Sequence, residues 1–236
     1  MGNSKPACWA IVPAAGSGRR MGASVAKQFL TLGRRTVLEH SLESLYSIPE
    51  LAGVVLVSQG HPALVPIQAQ FSGRRLIRTD GGRERCHSVL NGLSALADTC
   101  HDEDWVLVHD AARPCVRPHD LRLLLDTLAG HAVGGLLGVP VHDTMKRSDA
   151  QERITATVDR SGLWHAFTPQ MFRYGMLKAA LEQALADGYE VTDEASAMEH
   201  AGYQPLLIEG HADNIKITRP QDLPLAEFYL QQQGRL

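Results

Sequence analysis

The sequence CWAIVPAAGSGRRMG occupies residues 8–22 and begins with a short apolar run, which predicts a buried first strand. The run leads into a loop of small residues that carries Arg19 and Arg20, and Lys27 follows the loop. Small residues let backbone N–H groups approach a phosphate chain closely, and clustered cations neutralise its charge. The stretch therefore predicts a first strand and loop that bind a nucleoside triphosphate or another polyphosphate.

The composition limits the classes of protein to which the chain can belong. Its 236 residues, 44% of them hydrophobic, have the size and core of one α/β domain. A net charge of −3 argues against nucleic-acid binding by phosphate neutralisation. The four cysteines are widely spaced and predict free thiols, and we find neither a bilayer-spanning stretch nor a secretory signal. We expect a cytoplasmic protein that binds neither nucleic acid nor membranes.

Strand and helix patterns alternate along most of the chain. Apolar runs predict strands at 9–13, 54–58, 76–79, 105–109, 135–141, 204–209 and 214–218. Amphipathic patterns predict helices at 37–47, 61–71, 84–97, 118–129, 176–186 and 194–201, and a last helix after Pro220. This alternation implies a mostly parallel sheet covered on both faces. Because such sheets place their sites at the carboxyl ends of strands, the loops after Pro13, Thr79 and His109 should meet at one edge.

The pattern changes between residues 142 and 172. Polar residues at 144–149 are followed by ITATV at 154–158, which alternates and is rich in β-branched residues. A hairpin of this kind cannot bury its own apolar face. We therefore predict one domain, residues 1–236, with a projecting β-arm at about 142–172 through which two chains form a homodimer.

The loop GSGRRMG at 16–22 matches neither of the two common phosphate loops. A dinucleotide-binding loop would have glycine in place of Met21, and a P-loop would have Gly-Lys followed by serine or threonine. The ordinary alternative is an exposed turn with solvated arginines. The preceding strand, together with Arg20 and Lys27, favours phosphate binding.

Two further loops carry candidate residues. The glycines of DGG at 80–82, with Ser88 beyond them, form either a turn that contacts a flat ring or an ordinary strand-to-helix turn. Asp110 ends a strand, where a carboxylate either binds Mg²⁺ or caps a turn. Arg113 adds a side chain suited to phosphate.

The later candidates have ordinary structural explanations when each is taken singly. Thr192 has the chemistry of a helix N-cap, and Lys216 lies in an alternating stretch whose exposed face would carry it. We treat five surface histidines as solvated, at positions His61, His101, His119, His131 and His211.

One set of motifs runs along the chain from Ala10 to Tyr229: PAAGSGRRM, KQ, DGGRERCHSV, VHDAARP, DTMKR, TVDRSGLWHAFTPQ, TDEASA and ADNIKITRPQDL. Together they closely resemble the 2-C-methyl-D-erythritol 4-phosphate cytidylyltransferases of the non-mevalonate isoprenoid route. The first motif is shared with many sugar-phosphate nucleotidyltransferases, whereas HDAARP, DRSGLWHAFTPQ and DNIKITRP in combination are specific. The resemblance implies a three-layer, Rossmann-like nucleotidyltransferase fold.

The resemblance also implies a reaction and a set of roles. Methylerythritol phosphate attacks the α-phosphorus of CTP in line and pyrophosphate leaves, so the protein supplies alignment and charge neutralisation. Arg20 and Lys27 would stabilise the transition state, and Arg160 and Lys216 would hold the attacking phosphate, with Arg160 able to serve a neighbouring subunit from the arm. The implied CTP-binding residues are Pro13, Ala14, Ala15, Gly16, Gly18, Gly82, Ser88, Asp110 and Ala111. The implied substrate-binding residues are Arg113, Thr144, Arg160, Thr168, Thr192 and Lys216. Mg²⁺ would bridge CTP oxygens, with Asp110 as a candidate protein ligand.

The chain departs from the family at Ala26, because family members commonly have proline before the lysine. Without the proline ring, the backbone before Lys27 is less restricted before CTP binds.

A near alternative is a cytidylyltransferase for another polyol phosphate, such as ribitol 5-phosphate. A different class of protein, a nicotinamide-dependent oxidoreductase or a non-catalytic nucleotide-binding module, is supported by GSG at 16–18 alone. Against it, no acidic residue ends a strand at the ribose-reading position.

Overall fold

The computed structural model describes residues 6–16 and 26–236, and its framework is a seven-stranded sheet with the order β11-β7-β10-β6-β1-β4-β5. The described strands are β1 (Cys8–Pro13), β2 (Thr31–Leu32), β3 (Arg35–Thr36), β4 (Leu51–Val57), β5 (Leu76–Thr79), β6 (Trp105–Val108), β7 (Gly134–Pro140), β8 (Met145–Ser148), β9 (Ile154–Val158), β10 (Trp164–Arg173) and β11 (Leu206–Glu209). The described helices are α1 (Val37–Leu45), α2 (Leu64–Gln70), α3 (Arg85–Ser94), α4 (Pro118–Leu128), α5 (Tyr174–Ala186), α6 (Glu194–His200) and α7 (Asp222–Gln232).

The first strand separates two halves of the hydrophobic core. Side chains alternate across a strand, so Ala10 and Val12 pack into one cluster with α1, α2 and α4. Trp9 and Ile11 face the other way and pack with α3, α5 and α6. Burial on both faces explains why β1 is a continuous apolar run, and it confirms the prediction of three layers with a central sheet.

The sheet is mostly parallel, and the strand that departs from this direction is β10. It pairs antiparallel with β6 on one side and with β7 on the other. Its start therefore lies at the same edge of the sheet as the carboxyl ends of β1, β5 and β6. This edge is where the sequence predicts the functional loops.

The predicted β-arm at 142–172 is too long. The structure assigns 164–173 to β10 inside the main sheet, whereas β8 and β9 form a separate antiparallel pair. The polar residues of β10 and its Pro169 hid the strand in the sequence. The structure accommodates the proline because the pairing of β10 with β7 is interrupted between Ala166 and Gln170, so the missing N–H of Pro169 costs no hydrogen bond of the sheet. Residues of β8 and β9 are largely exposed in the single chain, and their contact with a second subunit stays a prediction.

One other local prediction is wrong, and one predicted helix is confirmed with a later start. Residues 214–218 form no strand, and the backbone N–H of Ile217 instead donates to the carbonyl of Ala112. The helix predicted at 61–71 begins at Leu64, with Pro66 in its first turn, where a backbone N–H has no helical partner.

Four of the histidines treated as solvated make defined contacts, and one of these is an edge-on contact between the rings of His119 and His211, with centroids 6.0 Å apart. The ring of His61 stacks on Phe29 with centroids 4.2 Å apart, and Nδ1 of His131 accepts from the N–H of Gly134. Nδ1 of His211 lies 2.7 Å from Oδ1 of the buried Asp120. Among the described residues no helix is both long and apolar enough to cross a membrane.

Candidate active site

A cavity of about 660 Å³ lies at the carboxyl edge of the sheet. The loops after β1, β5 and β6 form its walls, together with the irregular segment 214–218. Ten of the predicted site residues line it: Pro13, Ala14, Ala15, Gly16, Lys27, Gly82, Ser88, Asp110, Ala111 and Lys216. The structure thus brings together residues from both ends of the chain, as the parallel topology predicts.

The described part of the first loop is fixed by Gln28. Its side-chain amide donates to the carbonyl of Ala14 at 2.6 Å and to that of Gly16 at 3.1 Å. The neighbouring Lys27 donates from Nζ to the carbonyl of Ile217 at 2.9 Å, which places it beside the segment that carries Lys216. The two predicted lysines therefore face one cavity.

The turn after β5 is held in shape by Ser88. Its hydroxyl oxygen accepts from the backbone N–H of Gly82 at 3.0 Å and donates to the carbonyl of Glu84 at 3.1 Å. An added Cβ at Gly82 would lie 2.4 Å from the Cβ of His87, and one at Gly81 would lie 2.2 Å from the Cβ of Ala15. Both glycines are therefore required for close packing of the turn.

Asp110 lies at the centre of a cationic cluster. Its Oδ2 accepts from Nζ of Lys216 at 2.7 Å and its Oδ1 accepts from Nε of Arg85 at 2.9 Å, while Nε of Arg113 is 3.9 Å away. Burial opposes its negative charge, but Arg85 and Lys216 outweigh burial and hold the pKa of Asp110 well below its ordinary value. Each carboxylate oxygen is bonded to one cation and keeps a second lone pair, so the role of Asp110 as a magnesium ligand stays a prediction.

A second cavity of about 200 Å³ adjoins the first. It is lined by three predicted substrate-binding residues that do not line the larger cavity, Arg113, Thr168 and Thr192. Arg85, Asp110 and Lys216 line both cavities. These three side chains therefore form a polar boundary between two spaces.

Thr168 organises the wall behind that boundary. Its hydroxyl oxygen accepts from the backbone N–H of Asp110 at 3.0 Å and lies 3.1 Å from Nδ1 of His109. Nε2 of His109 is 3.0 Å from the carbonyl of Arg113, which can only accept, so Nε2 carries the ring proton. Burial lowers the pKa of His109 to about 4, which keeps the ring neutral. Thr168 thus positions the Asp110 loop through its hydroxyl.

Arg85 and Glu194 are site residues that sequence reasoning missed. The guanidinium of Arg85 donates to both carboxylate oxygens of Glu194, at 2.6 and 3.0 Å, besides its bond to Asp110. The partners are 109 positions apart in the sequence, so no spacing pattern indicates the contact. Asp193, rather than Thr192, is the N-cap of α6, and it forms a capping box with Ser196.

Four predicted residues remain. Gly18 and Arg20 lie outside the described residues. Thr144 and Arg160 are exposed near the β8–β9 pair and line neither cavity, and a guanidinium nitrogen of Arg160 donates to the carbonyl of His142. Their roles stay predictions.

Comparison with known proteins gives one consistent family. The family model described as 2-C-methyl-D-erythritol 4-phosphate cytidylyltransferase matches residues 8–232. A protein of that name from Pseudomonas putida (strain GB-1) is 53% identical over 222 residues, which are 94% of each chain. Another, from Aeromonas hydrophila, is 52% identical over 99% of this chain and 94% of its own.

Solved structures agree with the sequence relatives. A crystal structure of 4-diphosphocytidyl-2C-methyl-D-erythritol synthase superposes with a TM-score of 0.83 at 40% identity, covering 96% of this chain and 99% of the other. The 2-C-methyl-D-erythritol 4-phosphate cytidylyltransferase from Thermus thermophilus gives a TM-score of 0.76 at 30% identity, with 94% and 98% covered. The chain therefore belongs to the 2-C-methyl-D-erythritol 4-phosphate cytidylyltransferase family.

Proposed function

We propose that the protein joins CTP and 2-C-methyl-D-erythritol 4-phosphate to give 4-diphosphocytidyl-2-C-methyl-D-erythritol and pyrophosphate. The observation that carries this proposal is the pair of adjoining cavities that share Arg85, Asp110 and Lys216. A phosphate oxygen of the acceptor attacks the α-phosphorus of CTP, and the bond from that phosphorus to the bridging oxygen breaks. Pyrophosphate carries the electron pair away, so the reaction needs no oxidant or reductant.

The larger cavity has the size and lining expected for CTP. The turn at Gly82 and Ser88 offers backbone groups to the edge of cytosine, and Asp110 and Ala111 lie where the ribose would follow. The triphosphate would lie along the first loop, from Pro13 to Gly16 and on through Gly18, a position outside the described residues. We assign CTP recognition to these groups.

The smaller cavity fits the acceptor phosphate. Arg113 lines this cavity and is held there by a bond from its guanidinium to the carbonyl of Asn214 at 2.7 Å, so its positive charge lies beside the space that an incoming anion would occupy. Lys216 faces the same space, and Thr168 and Thr192 line it. We assign Lys216 and Arg113 to the acceptor phosphate, with Thr168 and Thr192 shaping the polyol pocket.

Charge that develops on the leaving pyrophosphate requires cations on the CTP side. Lys27 lies there, and we assign it and Arg20 to transition-state stabilisation. Mg²⁺ would be carried on CTP oxygens, where it would neutralise phosphate charge, with Asp110 at the edge of the larger cavity as its candidate protein ligand.

The exposed β8–β9 pair supports a homodimer. Ile154 on β9 is 68% exposed in the single chain, which a second subunit would cover. In such a dimer Thr144 and Arg160 would complete the partner's acceptor site.

The four cysteines are free and buried, in keeping with a reducing cytoplasm.

Pyrophosphate release from CTP tests the function directly. The purified protein should release pyrophosphate with 2-C-methyl-D-erythritol 4-phosphate and give little with ribitol 5-phosphate, or with ATP or GTP in place of CTP. Faster turnover with ribitol 5-phosphate would instead identify the protein as a ribitol 5-phosphate cytidylyltransferase. If no acceptor led to pyrophosphate release, the proposal that the protein is a cytidylyltransferase would be refuted.

Light scattering tests the dimer. Ile154→Asp should lower the mass of the particle and the activity, because it places a charge in the proposed interface. Val65→Asp is a matched control, since Val65 on α2 is also 68% exposed. A wild-type monomer at micromolar concentration would contradict the assignment.

A further inference from the structure

We propose that Arg85 is a positioning residue that holds Asp110 in place and shares its negative charge with Lys216, so that Lys216 keeps positive charge for the acceptor phosphate, with Glu194 fixing the direction of Arg85. The inference rests on the function proposed above. It concerns Arg85, which lines both cavities, and Glu194, which lines neither of them.

The geometry gives Arg85 two separate tasks. Its Nε donates to Asp110, and its two terminal nitrogens form a bidentate pair with Glu194. The side chain of Glu194 is 1% exposed, and that of Arg85 is 28% exposed. A planar guanidinium held at both terminal nitrogens cannot rotate, so its Nε stays directed at Asp110.

Glu194 is itself held by the start of α6. The side chain of Gln170 on β10 accepts from the N–H of Ala195 at 2.8 Å and donates to Asp193 at 2.8 Å. This anchors the first turn of α6 to the main sheet, and with it the carboxylate that directs Arg85. The chain of contacts thus runs from the sheet through Glu194 and Arg85 to Asp110.

The charges explain why Asp110 needs this partner. Three cations and two carboxylates form the cluster: Arg85, Arg113 and Lys216 with Asp110 and Glu194. Burial opposes the charge of Arg85, but Glu194 and Asp110 outweigh it and raise the pKa of Arg85, so it stays protonated. Lys216 is already 2.7 Å from Asp110, and Arg85 balances the same carboxylate from its other oxygen. Without Arg85, the charge of Asp110 would be balanced mainly by Lys216, which would weaken the attraction of that cation for the acceptor phosphate.

A simple structural explanation competes with this one. Glu194 is buried, and an arginine beside it could serve solely to neutralise it. Under that explanation, removing both charged partners together restores both the stability and the kinetics of the protein. Under our explanation the double substitution restores the stability alone, because Asp110 still lacks Arg85.

The test compares Arg85→Gln with the double variant Arg85→Gln/Glu194→Gln. The single variant leaves a buried unpaired carboxylate and should melt at a lower temperature. The double variant replaces the ion pair with two amides and should recover the wild-type melting temperature. We expect its KM for 2-C-methyl-D-erythritol 4-phosphate to stay raised at least tenfold and its kcat to change less than threefold. The KM for CTP should rise by a smaller factor than the acceptor KM, because Asp110 also lines the larger cavity.

Arg85→Lys serves as a further variant, because it keeps a cation opposite Glu194 and loses the fork that reaches Asp110. It should also raise the acceptor KM. Arg122→Lys is the matched control, since Arg122 forms the same bidentate pair with Glu50 on the exposed surface, at 3.0 and 2.8 Å. It should change neither KM.

The outcomes separate the two proposals. A wild-type acceptor KM in the folded double variant or in Arg85→Lys overturns the positioning role, although the cytidylyltransferase assignment stands. A wild-type protein that releases no pyrophosphate from CTP and the acceptor removes the function and this inference with it.

Discussion

Substitution of Gly81 by alanine should separate the two loops to which we assign CTP recognition. The Cβ of the alanine would lie 2.2 Å from the Cβ of Ala15, whereas ordinary contact begins at 3.4 Å. The backbone of Gly81 lies outside the left-handed region, so the alanine itself is not strained there. The substitution therefore acts through the collision alone, and one loop must move by roughly 1 Å to relieve it.

The size of the effect follows from that displacement. A misplacement of about 1 Å can cost on the order of 10²-fold in rate, which corresponds to about 2.7 kcal/mol of transition-state stabilisation. We expect Gly81→Ala to lower kcat/KM for CTP by that factor. Overpacking should also lower the free energy of unfolding, by about 1–3 kcal/mol.

Steady-state kinetics with pyrophosphate detection, together with urea unfolding, measures both quantities. Gly130→Ala is the control, because an added Cβ at Gly130 meets no atom within 4 Å. The double variant Gly81→Ala/Ala15→Gly tests the cause, since the next atoms, Oγ of Ser88 and Cα of Ala15, lie at 3.5 and 3.7 Å, in ordinary contact. It should regain most of the lost activity. Kinetics of Gly81→Ala like those of Gly130→Ala, or a double variant as impaired as the single one, would refute the reasoning.

Three further predictions concern charge, pH and backbone. Lys27→Ala should lower kcat about 10²–10³-fold with a smaller change in the KM for CTP, whereas Lys216→Ala should mainly raise the KM for the acceptor. Initial rates measured with each substrate varied in turn distinguish these two effects. His109 has a pKa of about 4 in the folded protein against an ordinary value of 6.5, so between these pH values the imidazole is protonated in the unfolded chain and neutral in the folded one. The free energy of unfolding should therefore fall by up to about 3 kcal/mol as pH drops from about 6.5 to 4, and His109→Gln should reduce that slope in urea titrations. Ala26 has φ −61° and ψ 137°, which proline adopts, so Ala26→Pro should stabilise the protein by about 0.4–1 kcal/mol in the same titrations and keep kcat.

The sequence predicts the central sheet well because its strands carry one unambiguous signal. β1 and β6 are buried on both faces and form continuous apolar runs, and β5 has the bounds that its pattern predicts. β10 carries no such signal. Its first half contains polar residues that face the site, such as Thr168, so a strand in the middle of the sheet resembled an exposed arm.

The site residues that the sequence did not predict are those joined by a long-range ion pair, Arg85 and Glu194. Backbone loops such as that of Gly82 and Ser88 are local, and their residue types show what the turn can bind. The fork between Arg85 and Glu194 depends on where α3 and α6 meet in space, and glutamate after Asp193 is equally typical of an ordinary first helical turn. Such a contact becomes visible only when the sheet order is known.

The segment around Lys216 shows how an incorrect structural prediction can still find a functional residue. Alternation at 214–218 predicts a strand, and the structure contains none there. Ile217 is nevertheless fully buried beside α7, while Lys216 faces the cavity. Neighbouring side chains can lie on opposite sides of a chain whether or not its backbone joins a sheet, so the pattern can be correct for Lys216 and Ile217. It fails at Asn214, which is polar and yet only 1% exposed. At Lys216 the pattern places the side chain toward open space, where an anionic acceptor can reach it, although the predicted hydrogen-bond ladder is absent.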